Sequence, residues 1–138
     1  MTDKQLDGTA GSNPNLPPPV PADWKQVKFG PPGDEDMSVL AQLRSGTDPW
    51  KARGETPAAS LEALTKLRPF VAVARLQGAI VGYVTIERDG PVPGAAYLRN
   101  IVVRAEYRQK GLGHVVLEHG LAMARDMNRK TLALRVDP

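Results

Sequence analysis

The apolar positions change their period twice along the chain. Residues 1–22 hold, besides Met1, only Leu6, Leu16 and Val20 as large apolar groups, set among Gly8, Gly11, Ser12, Asn13 and the prolines at 14, 17, 18, 19 and 21. Proline fixes φ and lacks an amide donor, so this arm is expected to be extended, disordered and outside any sheet. The folded domain is expected to span 23–138. The spacing Pro18-x-x-Pro21 also fits a polyproline ligand for an aromatic groove. A strand is predicted over 24–29, stopped by Gly30-Pro31-Pro32-Gly33. Helical spacing follows at Met37, Leu40, Ala41 and Leu43, with Asp34 or Asp36 as the cap. Residues 45–50 break that helix. Thr56-Pro57 opens a second one, its stripe read as Leu61, Leu64 and Leu67.

The period then shortens. Residues 70–76 and 79–87 are β-rich runs flanking Gln77-Gly78, which predicts a hairpin. A turn over 89–94 leads to a third run at 96–103. A helix with Leu112, Val115, Val116, Leu121, Ala122, Met123 and Met127 is closed by Asn128, and a last strand is predicted over 131–136. The order is β-α-α-β-β-β-α-β, an α/β (α+β) fold with a mixed, mainly antiparallel sheet flanked by helices.

Composition narrows the chemistry. The 138 residues contain no Cys, which excludes a thiol nucleophile, a redox pair and a zinc knuckle. A cytoplasmic location is expected, because no run approaches the ~18 apolar residues of a membrane span and the start lacks a signal-peptide core. Net charge rises from −3 over residues 1–36 through +2 over 37–98 to +4 over 99–138. The basic end is where an anion would bind. Nucleic acid is not the expected partner, since these cations alternate with apolar residues and only 5% of the chain is aromatic.

The densest signal is the stretch 103–114, which passes from a strand through a basic turn with two glycines directly into a helix. Arg108, Gln109, Lys110, Gly111, Leu112, Gly113 and His114 meet the positive end of that helix, where a pyrophosphate would sit. The turn is neither a P-loop nor a dinucleotide fingerprint, because the position three after Gly113 is Val116. Arg-x-x-Gly-x-Gly after a strand resembles the acyl-CoA loop of the GNAT superfamily of N-acetyltransferases. Leu98-x-Asn100-Ile101-x-Val103 followed by Tyr107-Arg108 is similar to the branch that acetylates protein amino termini.

The resemblance implies acetyl-CoA as cosubstrate and transfer to a primary amine of a protein amino terminus, a Lys or a small molecule by direct attack. Cofactor contacts are implied at Ile101, Val102 and Val103 and at residues 108–114, with an oxyanion donor in the Ile101 or Val102 amide. Tyr97 is the candidate for the proton path, Glu87 the substitute base, and Trp50 the border of the acceptor channel. Neutralising a Lys acceptor at pH 7 costs about 4.6 kcal/mol, against ~1.4 kcal/mol for an α-amine. No metal is expected, since His114 and His119 lie about 140° apart on a helix. After Pro138 the resemblance would call for a further helix and two strands. Their lack leaves an edge for a second copy or a completing chain, and a shortened chain or a minimal transferase stays open beside it. The alternative reading is a CoA-binding or protein-interaction module that has lost turnover, and a second rival is a phosphate or nucleic-acid binder.

Overall fold

The computed structural model describes residues 17–135. Residues 1–16 of the expected arm and Val136 of the predicted last strand lie outside the described residues. Five strands, β1 (Lys28–Gly30), β2 (Val71–Leu76), β3 (Ala79–Glu87), β4 (Ala96–Val103) and β5 (Leu132–Leu134), form one sheet in sequence order. All neighbours are antiparallel except β4 and β5, whose parallel pairing is reached through the helix between them. Helices α1 (Met37–Ser45) and α2 (Pro57–Leu67) precede β2, and α3 (Leu112–Asp126) joins β4 to β5. The predicted fold class and element order are those observed.

Two apolar layers hold the sheet from opposite faces. Met37, Leu40 and Leu64 from α1 and α2 pack on Val73, Tyr83 and Val102. Leu112, Val116 and Ala124 of α3 pack on Ala72, Ala74, Val84 and Ile86. Burial on both faces explains why β2 and β3 read as nearly continuous apolar runs without alternation. Gln77 and Gly78 both take positive φ, 51° and 82°, as a two-residue turn between antiparallel strands requires. Thr56 caps α2 by accepting from the Ala59 amide at 3.1 Å, with Pro57 in the first turn.

Three local expectations are corrected. Residues 24–27 form a turn, closed by the Val27 amide donating to the Trp24 carbonyl at 3.1 Å, so the first strand starts only at Lys28. Leu61 is 38% exposed, because the buried stripe of α2 is Ser60 and Leu64. Asp36 does not cap α1 with its side chain. Its carboxylate accepts from the Gly33 amide at 2.6 Å and pairs with Arg75 of β2, pinning the single helical turn Asp34–Asp36 to the sheet. Burial alone would raise the Asp36 pKa, but the Arg75 and Gly33 bonds outweigh it and hold it below the ordinary range.

Register is broken at one place that matters for the site. Thr85 pairs with Asn100, but Ile86 pairs with Leu98, which leaves Arg99 as a bulged residue of β4. On its other edge β4 pairs with β5 only through Ala96, Tyr97 and Leu98, all before the bulge. Past Arg99, β4 therefore has a ladder partner on the β3 side alone among the described residues. At Gly82, β3 and β4 approach so closely that an added Cβ would lie 2.5 Å from the Val102 carbonyl oxygen. The variant Gly82→Ala is expected to lose about 1–3 kcal/mol of stability in urea denaturation, because backbone on both sides must move. A midpoint equal to that of the wild type would contradict this packing.

Candidate active site

The parting of β4 from β5 exposes a strand edge whose polarity follows from one bond. The Arg104 amide donates to Val81 of β3 at 2.9 Å. Amide and carbonyl groups alternate between the two edges of a strand, so Val102 also faces β3 while Ile101 and Val103 face the gap. Val103 bears this out, since its carbonyl accepts from Arg108 Nε at 3.1 Å. The Val102 amide and carbonyl are thus turned to β3 and away from the gap, where a cofactor contact and an oxyanion donor were expected. Its peptide belongs to the sheet and its side chain to the core beneath α1 and α2.

The turn after β4 forms the far end of the gap. A single helical turn at Ala105–Tyr107 is followed by Gln109 at φ 61° and Gly111 at φ 95°, with Lys110 between them outside the left-handed region. Such alternation turns successive amides into an anion-binding concavity. It runs into the first turn of α3, where the amides of Leu112, Gly113 and His114 have no carbonyl four residues back within the helix. A Cβ added at Gly113 would meet nothing within 4 Å, so the glycine leaves open space at the helix end. The Leu112 side chain is core, and only its amide serves this surface.

Two expected side chains behave differently. Arg108 turns from the helix end to bond Val103 and, at 3.0 Å, Thr47 Oγ1, which ties the turn to the segment after α1. His114 is exposed, 3.7 Å from Glu118 one helical turn on. His119 stacks on Phe29 with ring centroids 3.9 Å apart, and burial lowers its pKa. No group of three or more His, Asp or Glu residues able to hold a metal ion occurs among the described residues.

At the bulge the gap widens into a cleft of about 980 Å³ that brings together Trp50, Glu87, Tyr97 and Ile101. The Glu87 carboxylate is bonded by Arg99, whose guanidinium also lies 5.1 Å from the centre of the Tyr97 ring. Residues 108–114 lie at the other end of β4, outside the lining of this cleft.

Sequence reasoning missed the charged group under the cleft. Arg44 is 9% exposed, donates to Glu55 at 2.7 Å and to Asn100 Oδ1, and lies 4.7 Å from the centre of the Trp50 ring. Ser60 Oγ donates to Glu55 at 2.5 Å. The signal was present, since Arg44 continues the apolar stripe 37, 40, 41 at helical spacing, a face on which a cation requires buried partners. Tyr83 is fully buried beside Arg44, and burial pushes its pKa up against the opposing effect of that cation.

Acetyl-CoA fits the residues present. The β4 edge is open to an extended chain of amides, the turn presents backbone donors to phosphate, and Gly113 leaves room beside them. The model of the acetyltransferase (GNAT) family matches residues 38–138, and the chain belongs to that family. It is an acyltransferase with acetyl-CoA as its cosubstrate. Comparison with curated protein sequences gives no match. Among solved structures, the chain is similar to an aminoglycoside N-acetyltransferase, AAC(6')-Iy, in complex with CoA, with TM-score 0.65, 16% identity and coverage of 86% of this chain and 82% of that one. A transcriptional regulator from Bacillus halodurans C-125 gives TM-score 0.64 and 15% identity, covering 80% and 82%. Ard1 from Thermoplasma volcanium gives 0.61 and 16%, covering 79% and 70%. At these identities the likeness is one of fold. No described helix is long and apolar enough to cross a membrane.

The Arg44 bond, ahead of the opposing effect of burial, holds the Glu55 carboxyl below its ordinary value of 4.5. A lowered native pKa means that the folded chain binds fewer protons than the unfolded one. The pair's contribution is therefore full above pH 4.5 and is lost as pH falls through that value and below. Urea midpoints measured from about pH 6 to 3 are expected to fall more steeply for the wild type than for Glu55→Gln. Parallel slopes would remove Glu55 from the account.

Proposed function

We infer that the chain transfers an acetyl group to a primary amine by direct attack within a ternary complex, the amine belonging to a protein amino terminus, a Lys or a small molecule. The observation that carries this reading is the one-sided β4 edge, which runs from the cleft at the bulge to the turn of positive-φ residues before α3. Without Cys, no thiol can be acetylated first.

Acetyl-CoA supplies the thioester-activated acetyl group. The amides of residues 111–114, with Gln109 and Lys110 beside them, would hold its pyrophosphate, and the Ile101 and Val103 edge its pantetheine. The Ile101 N–H is the donor for charge developing on the carbonyl oxygen. The Tyr97 hydroxyl takes the proton path, Trp50 walls the amine's approach, and Glu87 supports Tyr97 through Arg99. Attack requires the neutral amine and not the ammonium. That requirement is lightest for an α-amine, which agrees with the likeness of residues 98–103 to the amino-terminal branch.

Calorimetric titration with CoA and acetyl-CoA is the direct test. Gly113→Ala is expected to raise or hold Tm, since Ala favours the helix by about 0.5–1 kcal/mol and its methyl meets no atom of the protein. Its affinity for CoA should nevertheless fall at least ~10-fold, because the methyl fills the space beside the phosphate donors. Unchanged affinity in a folded variant would move the phosphate elsewhere. Tyr97→Phe is expected to keep CoA affinity and lose about 10²-fold in kcat. Wild-type turnover in that variant would remove Tyr97 from the proton path, and CoA binding without turnover by the wild type would favour a binding module.

A further inference from the structure

The family match starts at residue 38, yet a segment well before it is attached to the turn that precedes α3. Trp24 Nε1 donates to the carbonyl of Lys110 at 2.9 Å. Its indole meets the ring of Tyr107 edge-on, with centroids 5.7 Å apart and planes at 85°. Tyr107 is 1% exposed, and its hydroxyl donates to the Pro18 carbonyl at 2.5 Å. Residues 18–24 thus grip the turn at two points, 107 and 110, and cross the domain boundary that the sequence put at residue 23.

The Lys110 carbonyl is not an arbitrary anchor. It belongs to the same planar peptide as the Gly111 amide, and in a trans peptide the C=O and N–H point in opposite directions. Holding the oxygen toward Trp24 aims the Gly111 N–H away from it, and a carbonyl engaged by a donor polarises its own N–H into a better donor. Gly111 sits at φ 95°, and a Cβ there would come 3.2 Å from Trp24 Nε1, so indole and glycine are fitted to each other. Prolines at 17, 18, 19 and 21 limit the backbone freedom lost when this segment lies down on the turn.

We propose that Trp24 is a positioning residue for the cosubstrate: it orients the Lys110–Gly111 peptide toward the pyrophosphate, and the docking of residues 18–24 and the binding of acetyl-CoA strengthen each other. This rests on the turn before α3 being the pyrophosphate site. Reciprocity follows from linkage, since whatever stabilises the oriented peptide favours both partners equally.

Trp24→Phe keeps a ring against Tyr107 and removes only the N–H. Its expected effect is a 5- to 20-fold rise in the Kd for CoA and the KM for acetyl-CoA, with kcat and the acceptor KM unchanged, on the order expected for one lost hydrogen bond. The KM for acetyl-pantetheine, which has no pyrophosphate, should not move. The chain has two Trp, so in a Trp50→Phe background Trp24 is the sole indole, and its emission should change on adding CoA and not on adding pantetheine. Wild-type CoA affinity in Trp24→Phe, an equal loss for acetyl-pantetheine, or emission indifferent to CoA would each overturn the role of Trp24 while leaving the cofactor reading intact. A wild type that binds no CoA would overturn that reading first and this proposal with it.

Discussion

Everything at the site depends on β4 having, among the described residues, a partner on one side only beyond Leu98. A strand edge without a ladder partner carries unpaired N–H and C=O groups, which a protein ordinarily covers or charges. Here the edge is produced by a single extra residue, Arg99, which shifts the register against β3 just where β5 ends its pairing. The bulge would open the sheet uselessly if the rest of β4 could follow it. It cannot, because Val102 is locked into the α1 and α2 layer, Val103 into the α3 layer, and Gly82 lets β3 press against the same stretch. A rigid half-sheet with one free edge results.

Buried charge fixes the opposite wall. Arg44 lies where an apolar residue would pack as well or better, and removing a single partner from such a group leaves an uncompensated charge. Its bonds to Glu55, Asn100 and the Trp50 face join α1, the segment before α2, and β4 across the cleft. Apolar packing would resist separation of these elements but would tolerate sliding. Directional bonds to a planar guanidinium restrict sliding as well, which places Trp50 relative to Ile101.

Element order and the glycine turn were legible because each rests on local chemistry. Runs of strand-forming residues on either side of Gln77-Gly78 marked β2 and β3, Thr56-Pro57 marked the start of α2, and two glycines spaced around Leu112 marked the turn into α3. Contacts between distant segments were not legible. Nothing near Trp24 indicates that its indole reaches Lys110, and a run of apparent strand formers over 24–29 concealed a turn whose side chains are spent on another part of the fold. Arg108 shows the same limit from the other side. Its residue type suited phosphate, but its Nε is turned to the Val103 carbonyl and its terminal nitrogen to the Thr47 hydroxyl, contacts that no local pattern announces. Arg44 was the one distant contact with a local sign, a cation on an apolar helical stripe.

Arg108 also shows how the two ends of β4 are joined. Its backbone belongs to the turn before α3, its Nε holds the last residue of β4, and its terminal nitrogen reaches Thr47, whose hydroxyl donates in turn to the Leu43 carbonyl at 2.6 Å. Leu43 and Arg44 are adjacent on α1. Three hydrogen bonds and one step along the backbone therefore connect the turn, through the segment after α1, to the charge beneath the cleft. The turn is gripped from one side by Trp24 and from the other by Arg108, while the cleft is held by Arg44. Because a side chain that bonds two elements transmits the position of each to the other, the two ends are set as one unit although about 20 Å of strand separates them.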